Sequence, residues 1–193
     1  MNIKIILIGS NYTGRVSSRS ISMMAEKSKS VPFLDAPKNL NGLIGDKGFD
    51  PIGFSDYIDV RFLREAELKH SRIAMLAFLG FVGSEFVKLP DHNYGPVAAH
   101  DIAVSSGAMA QILTFVVALE FISVVAVKQM LAGSGRVPGD YGFDPLSFSA
   151  KGSQKDKDTM ALKELENGRL AMVAIAGVLT QSVITGGSFP YTN

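Results

Sequence analysis

The chain contains no cysteine and no tryptophan. The first absence removes disulfide frameworks, thiolate metal centres and thiol catalysis. The second means that an aromatic belt at a membrane surface must be built from 12 Phe and 5 Tyr. Charge is sparse: Lys, Arg, Asp and Glu make up 19% of the 193 residues and nearly cancel to +1, so no basic face advertises nucleic acid. Acidic residues are missing from Met1 to Met24, where Lys4, Arg15, Arg19 and several serines stand. Such a leader fits residues 1–24 to a targeting segment or, at equal weight, to a disordered tail. Its run Ile5-Ile6-Leu7-Ile8 is too short for a bilayer, which takes ~20 apolar residues. No glycine-rich phosphate loop or nucleophile elbow is present.

What the chain has is a duplication. Glu67-Leu68-Lys69-His70-Ser71-Arg72-Ile73-Ala74-Met75 is echoed by Glu164-Leu165-Glu166-Asn167-Gly168-Arg169-Leu170-Ala171-Met172, with residue numbers 97 apart throughout. Upstream, Gly45-Asp46-Lys47-Gly48-Phe49-Asp50-Pro51 is echoed by Gly139-Asp140-Tyr141-Gly142-Phe143-Asp144-Pro145 at an offset of 94. Each copy is a Gly and Asp-Pro turn with a Phe beside it, followed by a helix. Duplicated halves in a membrane commonly pack about a pseudo-two-fold axis.

A mean hydropathy of +0.21 with few charges leans toward a membrane protein. Three helices are predicted, over 56–87, 103–131 and 156–184, within one domain covering 25–193. The first is polar below and apolar or small from Ile73 to Gly83; the second is interrupted only by Gln111 and Glu120 before Lys128; the third opens near Asp156, with Asp158 and Thr159 as cap candidates. The loop between the second and third helices, with its flanks, collects Lys128, Arg136, Lys151, Lys155, Lys157 and Lys163, whereas the loop between the first and second offers only Lys88. The positive-inside tendency then places the N-terminus and the second loop on one side. The expected fold is an all-α membrane protein of three transmembrane helices, the first and third crossed.

The repeated polar residues share faces. Glu67 and His70 are three apart, as are Glu164 and Asn167, so each pair lies on one side of its helix. Gln181 lies on nearly the same face as Asn167, about 21 Å higher. Each offers a lone pair, and spread along a face they suit separate axial ligation of several bulky groups. Arg72 and Arg169 stand five residues past a Glu, about 140° around the helix, so each is badly placed for its own Glu and suited to the partner helix. Reciprocal pairs Arg72–Glu164 and Arg169–Glu67 are expected, with close approach at Ala74, Ala77, Gly80, Gly83, Ala171, Ala174 and Gly177. Taken alone, the same residues also fit two ion pairs that merely lock a crossed helix dimer.

These motifs resemble the light-harvesting chlorophyll-binding protein family, the three-helix antenna proteins of photosynthetic membranes. Leu63-Arg64-Glu65-Ala66-Glu67-Leu68-Lys69-His70-Ser71-Arg72 is most like the fucoxanthin–chlorophyll a/c antennae of red-lineage algal plastids. The resemblance implies magnesium ligation of chlorophyll by Glu67, His70, Glu164, Asn167 and Gln181, and inter-helix pairing by Arg72 and Arg169. Carotenoid ends would be held at Phe49, Asp50, Phe143 and Asp144. Gln111 and Glu120 stand one residue further apart than in the plant members, so both do not keep the plant geometry; Gln111 is preferred, because Glu120 in mid-span needs a partner the sequence does not name. The tail after Gly187 lacks the amphipathic helix and His ligand of plant members. The resemblance further implies chlorophyll a with chlorophyll c, xanthophylls such as fucoxanthin, and a thylakoid membrane location in the plastid. Partners would be other antenna subunits, a photosystem core and membrane lipid, with no nucleic acid, and the task would be light harvesting without enzymatic activity.

Other readings are weaker. A photoprotective, energy-quenching member would keep the same fold. Glu67-x-x-His70 matches half of a carboxylate-bridged dimetal motif, but that site needs a second Glu-x-x-His and two further Glu on four helices, and the echo has Asn167. A small transporter or structural three-span protein leaves Gln181 and the twin loops idle. His92 and His100 read as ordinary loop histidines, and Met75 and Met172 as adaptable packing.

Overall fold

The computed structural model describes residues 26–40, 42–88, 90, 93–145, 147, 152–187 and 189–191. The leader expected over residues 1–24 lies outside them, as does His92. The described residues form five helices: α1 (Phe54–Tyr57), α2 (Val60–Phe86), α3 (Pro96–Ser105), α4 (Ala108–Leu131) and α5 (Gln154–Thr185). They contain no strand beyond an isolated bridge between Lys27 and Asp35.

The boundaries correct the sequence reading in three places. The helix expected from Asp56 is a single turn, α1, then a break at Ile58 and a fresh start at Val60, because Asp59 accepts from the Arg61 amide and caps α2. The middle helix expected over 103–131 is two helices, parted where Gly107 takes a left-handed φ of 79°. α5 starts two residues early, at Gln154. Ser153 accepts from the Asp156 amide and Asp156 answers the Ser153 amide, a capping box that displaces Asp158 and Thr159 from the role.

Buried residues are few, and much of the surface is apolar. Phe115, Val117, Phe121 and Ile122 on α4 are all exposed, as are Leu170, Val173, Val183 and Ile184 on α5. In water such a surface would be an aggregation hazard; against hydrocarbon it is the stable arrangement. α4 and α5 are long and apolar enough to cross a membrane.

The one extensive helix contact joins α2 to α5. It is tightest where Ser71, fully buried, faces Gly168: a Cβ on Gly168 would stand 2.3 Å from the Ser71 Cβ. The expected approach at Gly80, Gly83 and Gly177 does not occur, since nothing lies within 4 Å of a Cβ built at any of them. These glycines stand beside open space. Each loop then packs on the helix of the other copy. Gly45 abuts a Leu165 methyl of α5 and Gly139 a Leu68 methyl of α2, with φ of 74° and 81°, a left-handed backbone that favours glycine at both.

Candidate functional site

The helix seam carries two ion pairs that swap partners. Arg72 Nε donates to Glu164 Oε1 at 2.7 Å, and Arg169 Nε to Glu67 Oε1 at 2.8 Å. Arg169 also donates to the Gly45 carbonyl at 3.2 Å, tying the first loop to the same pair. The second oxygen of Glu67 is 3.6 Å from Arg64 Nη1, too far for a hydrogen bond. Each carboxylate is thus hydrogen-bonded to an arginine through one oxygen, and Glu67 has Arg64 within ion-pair distance of the other.

His70 and Asn167, equivalent in the duplication, are held in the same way. His70 Nδ1 lies 2.7 Å from the Ala66 carbonyl, and Asn167 Nδ2 donates to the Lys163 carbonyl at 2.9 Å. Both bonds reach back four residues. Each spends the donor end of its side chain on the backbone, which leaves His70 Nε2 and Asn167 Oδ1 as acceptors on exposed side chains. Gln181 and Gln111 are exposed, and neither side chain has a hydrogen bond among the described residues. Glu120 does have a partner: Lys69 Nζ of α2 donates to its Oε2 at 2.6 Å. Lys69 lies 51 residues away, with no repeat to betray it.

The structure also shows a cluster the sequence reading missed. Glu65, only 2% exposed, receives the Gly139 amide at 2.6 Å, both terminal nitrogens of Arg136 at 3.3 Å and the Tyr141 hydroxyl. The Arg136 guanidinium lies over the Tyr141 ring, 4.5 Å from its centre. Burial, and then the bond to Glu65, push the Tyr141 phenol up to about 12. A signal was available: the repeat position of Glu65 is Leu162, so the copies part there. The cluster fastens the second loop to α2, whereas Gly45 in the first loop meets Leu162 and Leu165.

Phe49 and Asp50 of the first loop line one groove with Glu67 and Arg169. Phe49 and Phe143 are 64% and 86% exposed. Asp50 accepts from the amides of Gly53, Phe54 and Ser55 and so fixes α1. Burial opposes its ionisation, but the bonds from Ser55, Phe54 and Gly53 outweigh it and hold the carboxyl below the usual range. Asp144 is partly buried in the second loop. A groove of about 620 Å³ runs between the first loop and α2, lined by Leu40, Leu43, Phe49, Leu63, Arg64 and Glu67 among others. His100 is exposed on α3, 3.1 Å from Asp101. Among the described residues no three His, Asp or Glu side chains converge where they could hold a bare metal ion.

Residues 36–183 match the family described as Chlorophyll A-B binding protein. The chain belongs to that family. Among its relatives is the light-harvesting complex stress-related protein 1, chloroplastic, of Chlamydomonas reinhardtii, 34% identical over 173 residues, 81% of this chain and 65% of the relative. The stress-related protein 3.2 of the same organism is 36% identical over 166 residues, 76% of this chain and 64% of that protein. The fucoxanthin-chlorophyll a-c binding protein, chloroplastic, of Chattonella marina var. antiqua is 35% identical over 170 residues, 83% of this chain and 77% of that protein. The chain therefore spans just under two thirds of the length of the two stress-related relatives.

Proposed function

We propose that this chain is a photosynthetic antenna protein of the plastid thylakoid membrane, which binds chlorophylls and carotenoids and passes absorbed energy to a photosystem. The observation that carries the reading is the matched pair His70 and Asn167, each with its donor spent on a carbonyl four residues back and one acceptor facing out.

Chlorophyll, when bound, supplies the light absorption and the excitation transfer. Its magnesium would be held by residues that each offer a single lone pair and do not converge. His70 Nε2, Asn167 Oδ1 and the Gln181 amide oxygen fit that need without charge. Glu67 and Glu164 fit it with one oxygen committed to an arginine, which offsets a charge otherwise costly in hydrocarbon. Gln111 and Glu120 are further ligands in this reading. The chain does no bond chemistry: the helices fix pigment spacing and orientation, and the apolar surface excludes water.

Three spans are proposed, α2 joining α4 and α5. At 27 residues α2 would measure about 40 Å, and its charged lower half is compensated across the seam. The first and third spans would be related by a pseudo-two-fold axis at Ser71 and Gly168, which are repeat mates in contact. Phe49, Asp50, Phe143 and Asp144 would steady the ends of two xanthophylls. The relatives' names support chlorophyll a with chlorophyll c and fucoxanthin or a similar xanthophyll. Residues 25–193 serve as the pigment-binding domain, partnered by lipid, other antenna subunits and a photosystem core, and residues 1–24 precede it as a targeting leader or a tail.

Identity does not separate harvesting from quenching, since stress-related and fucoxanthin-binding relatives stand equally near at 34–36%. Pigment extraction tests the main reading: chlorophyll and carotenoid are expected in stoichiometric amounts, and a preparation without chlorophyll overturns it. A long fluorescence lifetime in the isolated protein is expected for harvesting, and a short one would favour quenching.

A further inference from the structure

Position 69 is where the two copies of the repeat carry opposite charge. Lys69 on α2 corresponds to Glu166 on α5. Glu166 lies 3.4 Å from Lys47, with both side chains more than half exposed. Lys69 reaches α4 instead, donating to Glu120 Oε2 and to Ser123 Oγ, each at 2.6 Å. Ser123, buried one turn beyond Glu120, lies 2.9 Å from the same carboxylate oxygen.

A carboxylate in an apolar span is costly unless a cation answers it. α4 cannot provide one: its only basic residue is Lys128, more than two turns further on. The counter-ion has to come from another helix, and α2 is the long helix packed against α4. The triad uses one oxygen of Glu120. Oε1 has no hydrogen bond among the described residues, on a side chain 49% exposed. The same pattern holds at Glu67 and Glu164, each bonded through one oxygen to a cation on another helix at 2.7–2.8 Å.

The geometry points to Lys69 as the positioning residue for a magnesium-tetrapyrrole seat at Glu120, an inference that rests on the pigment-binding reading above. Lys69 neutralises Glu120, decides which oxygen is left for the metal and, by holding Ser123 as well, sets the rotation of α4 against α2. Gln111 stands nine residues before Glu120, about 180° around the helix. With Glu120 turned to α2, Gln111 serves a different seat.

The test uses the pigment-loaded full chain and counts chlorophyll per polypeptide, with absorption and circular dichroism spectra. Lys69→Met and Glu120→Leu are each expected to lose one chlorophyll, with superimposable difference spectra, and Lys69→Arg to keep it. Glu120→Gln provides a neutral ligand that needs no counter-ion, so the double variant Lys69→Met with Glu120→Gln is expected to regain the chlorophyll. Combining Lys69→Met with Glu120→Leu instead removes the charge without offering a ligand; that control is expected to stay one chlorophyll short, which separates ligation from charge balance even where Lys69→Met alone fails to fold. A pigmented wild type whose Lys69→Met keeps every chlorophyll, or a double variant that regains none, overturns the proposal alone. A wild type without chlorophyll overturns it together with the pigment reading.

Discussion

Ser71 packs directly on Gly168, the residue that occupies its own place in the second copy of the repeat. Helices that meet at equivalent positions of a repeat can exchange equivalent contacts across the seam, where the two copies carry the same residues. The two arginine–glutamate pairs and the two glycines under the loops follow this rule.

The contact makes Gly168 intolerant of any side chain. A Cβ there would lie 2.3 Å from the Ser71 Cβ and 3.2 Å from its Cα, so rotation of Ser71 cannot clear it. Gly168→Ala is expected to cost ~1–3 kcal/mol, the range for overpacking. Ser71→Gly should restore part of the loss in thermal melts. Ser71→Ala alone should be nearly silent, because the Ser71 hydroxyl has no hydrogen-bond partner.

The two ion pairs are similar but not equal in their attachments. Arg169→Leu takes away the hydrogen-bonded arginine of Glu67, leaving Arg64 at 3.6 Å, and also releases the Gly45 carbonyl, whereas Arg72→Leu gives up its bond to Glu164. Removing one partner costs ~3–5 kcal/mol in a buried pair and ~0–1 kcal/mol in an exposed one, and the partial exposure of both partners puts these between the two. Arg169→Leu is expected to melt lower than Arg72→Leu and to open the first loop to protease. Equal melting of the two variants would contradict the role given to Gly45.

Part of this was legible in the sequence, for definite reasons. A five-residue Arg–Glu spacing turns the two side chains about 140° apart, and with a duplication that leaves the other helix as the natural partner. Glu65 escaped because its repeat mate is Leu162 and its partners Arg136, Gly139 and Tyr141 come from a loop with no periodicity. Lys69 and Glu120 escaped because the contact between different elements obeys no spacing rule. Gly80, Gly83 and Gly177 misled because small residues permit close helix approach without requiring it. The early break at Ile58 and the start at Gln154 were set by Asp59 and Ser153, caps whose partners lie within three residues.

The Glu65 cluster predicts an alkaline transition. Tyr141 has its phenol raised to about 12 in the folded protein, against ~10 unfolded. The stability it contributes is complete below pH ~10 and lost as pH rises through the folded value. Of the five tyrosines, one is expected to ionise late in a spectrophotometric titration, and Tyr141→Phe should remove that late step. Glu65→Leu should be more damaging than Tyr141→Phe, since it strands Arg136, whose side chain is 14% exposed, and the buried Gly139 amide.

The first loop should fail at the opposite end of the scale. Asp50 has its carboxyl held below the usual range by three amides. Its contribution is present above the unfolded value of ~3.9 and disappears as pH falls through the lower folded one. Asp50→Ala is expected to cost about 1 kcal/mol, as for a lost helix cap. It should also flatten acid unfolding below pH ~4, measured by circular dichroism.

The equivalence of His70 and Asn167 supplies a sharper test of ligation than deletion does. Both side chains bond back to the carbonyl four residues earlier, at 2.7 and 2.9 Å, and both keep one acceptor outside. If that acceptor is what a magnesium needs, the residues should be exchangeable in type. His70→Asn is expected to hold its chlorophyll with a small shift in absorption, and His70→Leu to lose one chlorophyll while the two ion pairs and the melting midpoint of the apoprotein stay unchanged. Loss in both variants would mean that imidazole itself is required, and retention in both would remove His70 from the ligand set. A packing role for this exposed side chain would not distinguish an amide oxygen from a methyl group, so the exchange separates ligation from packing.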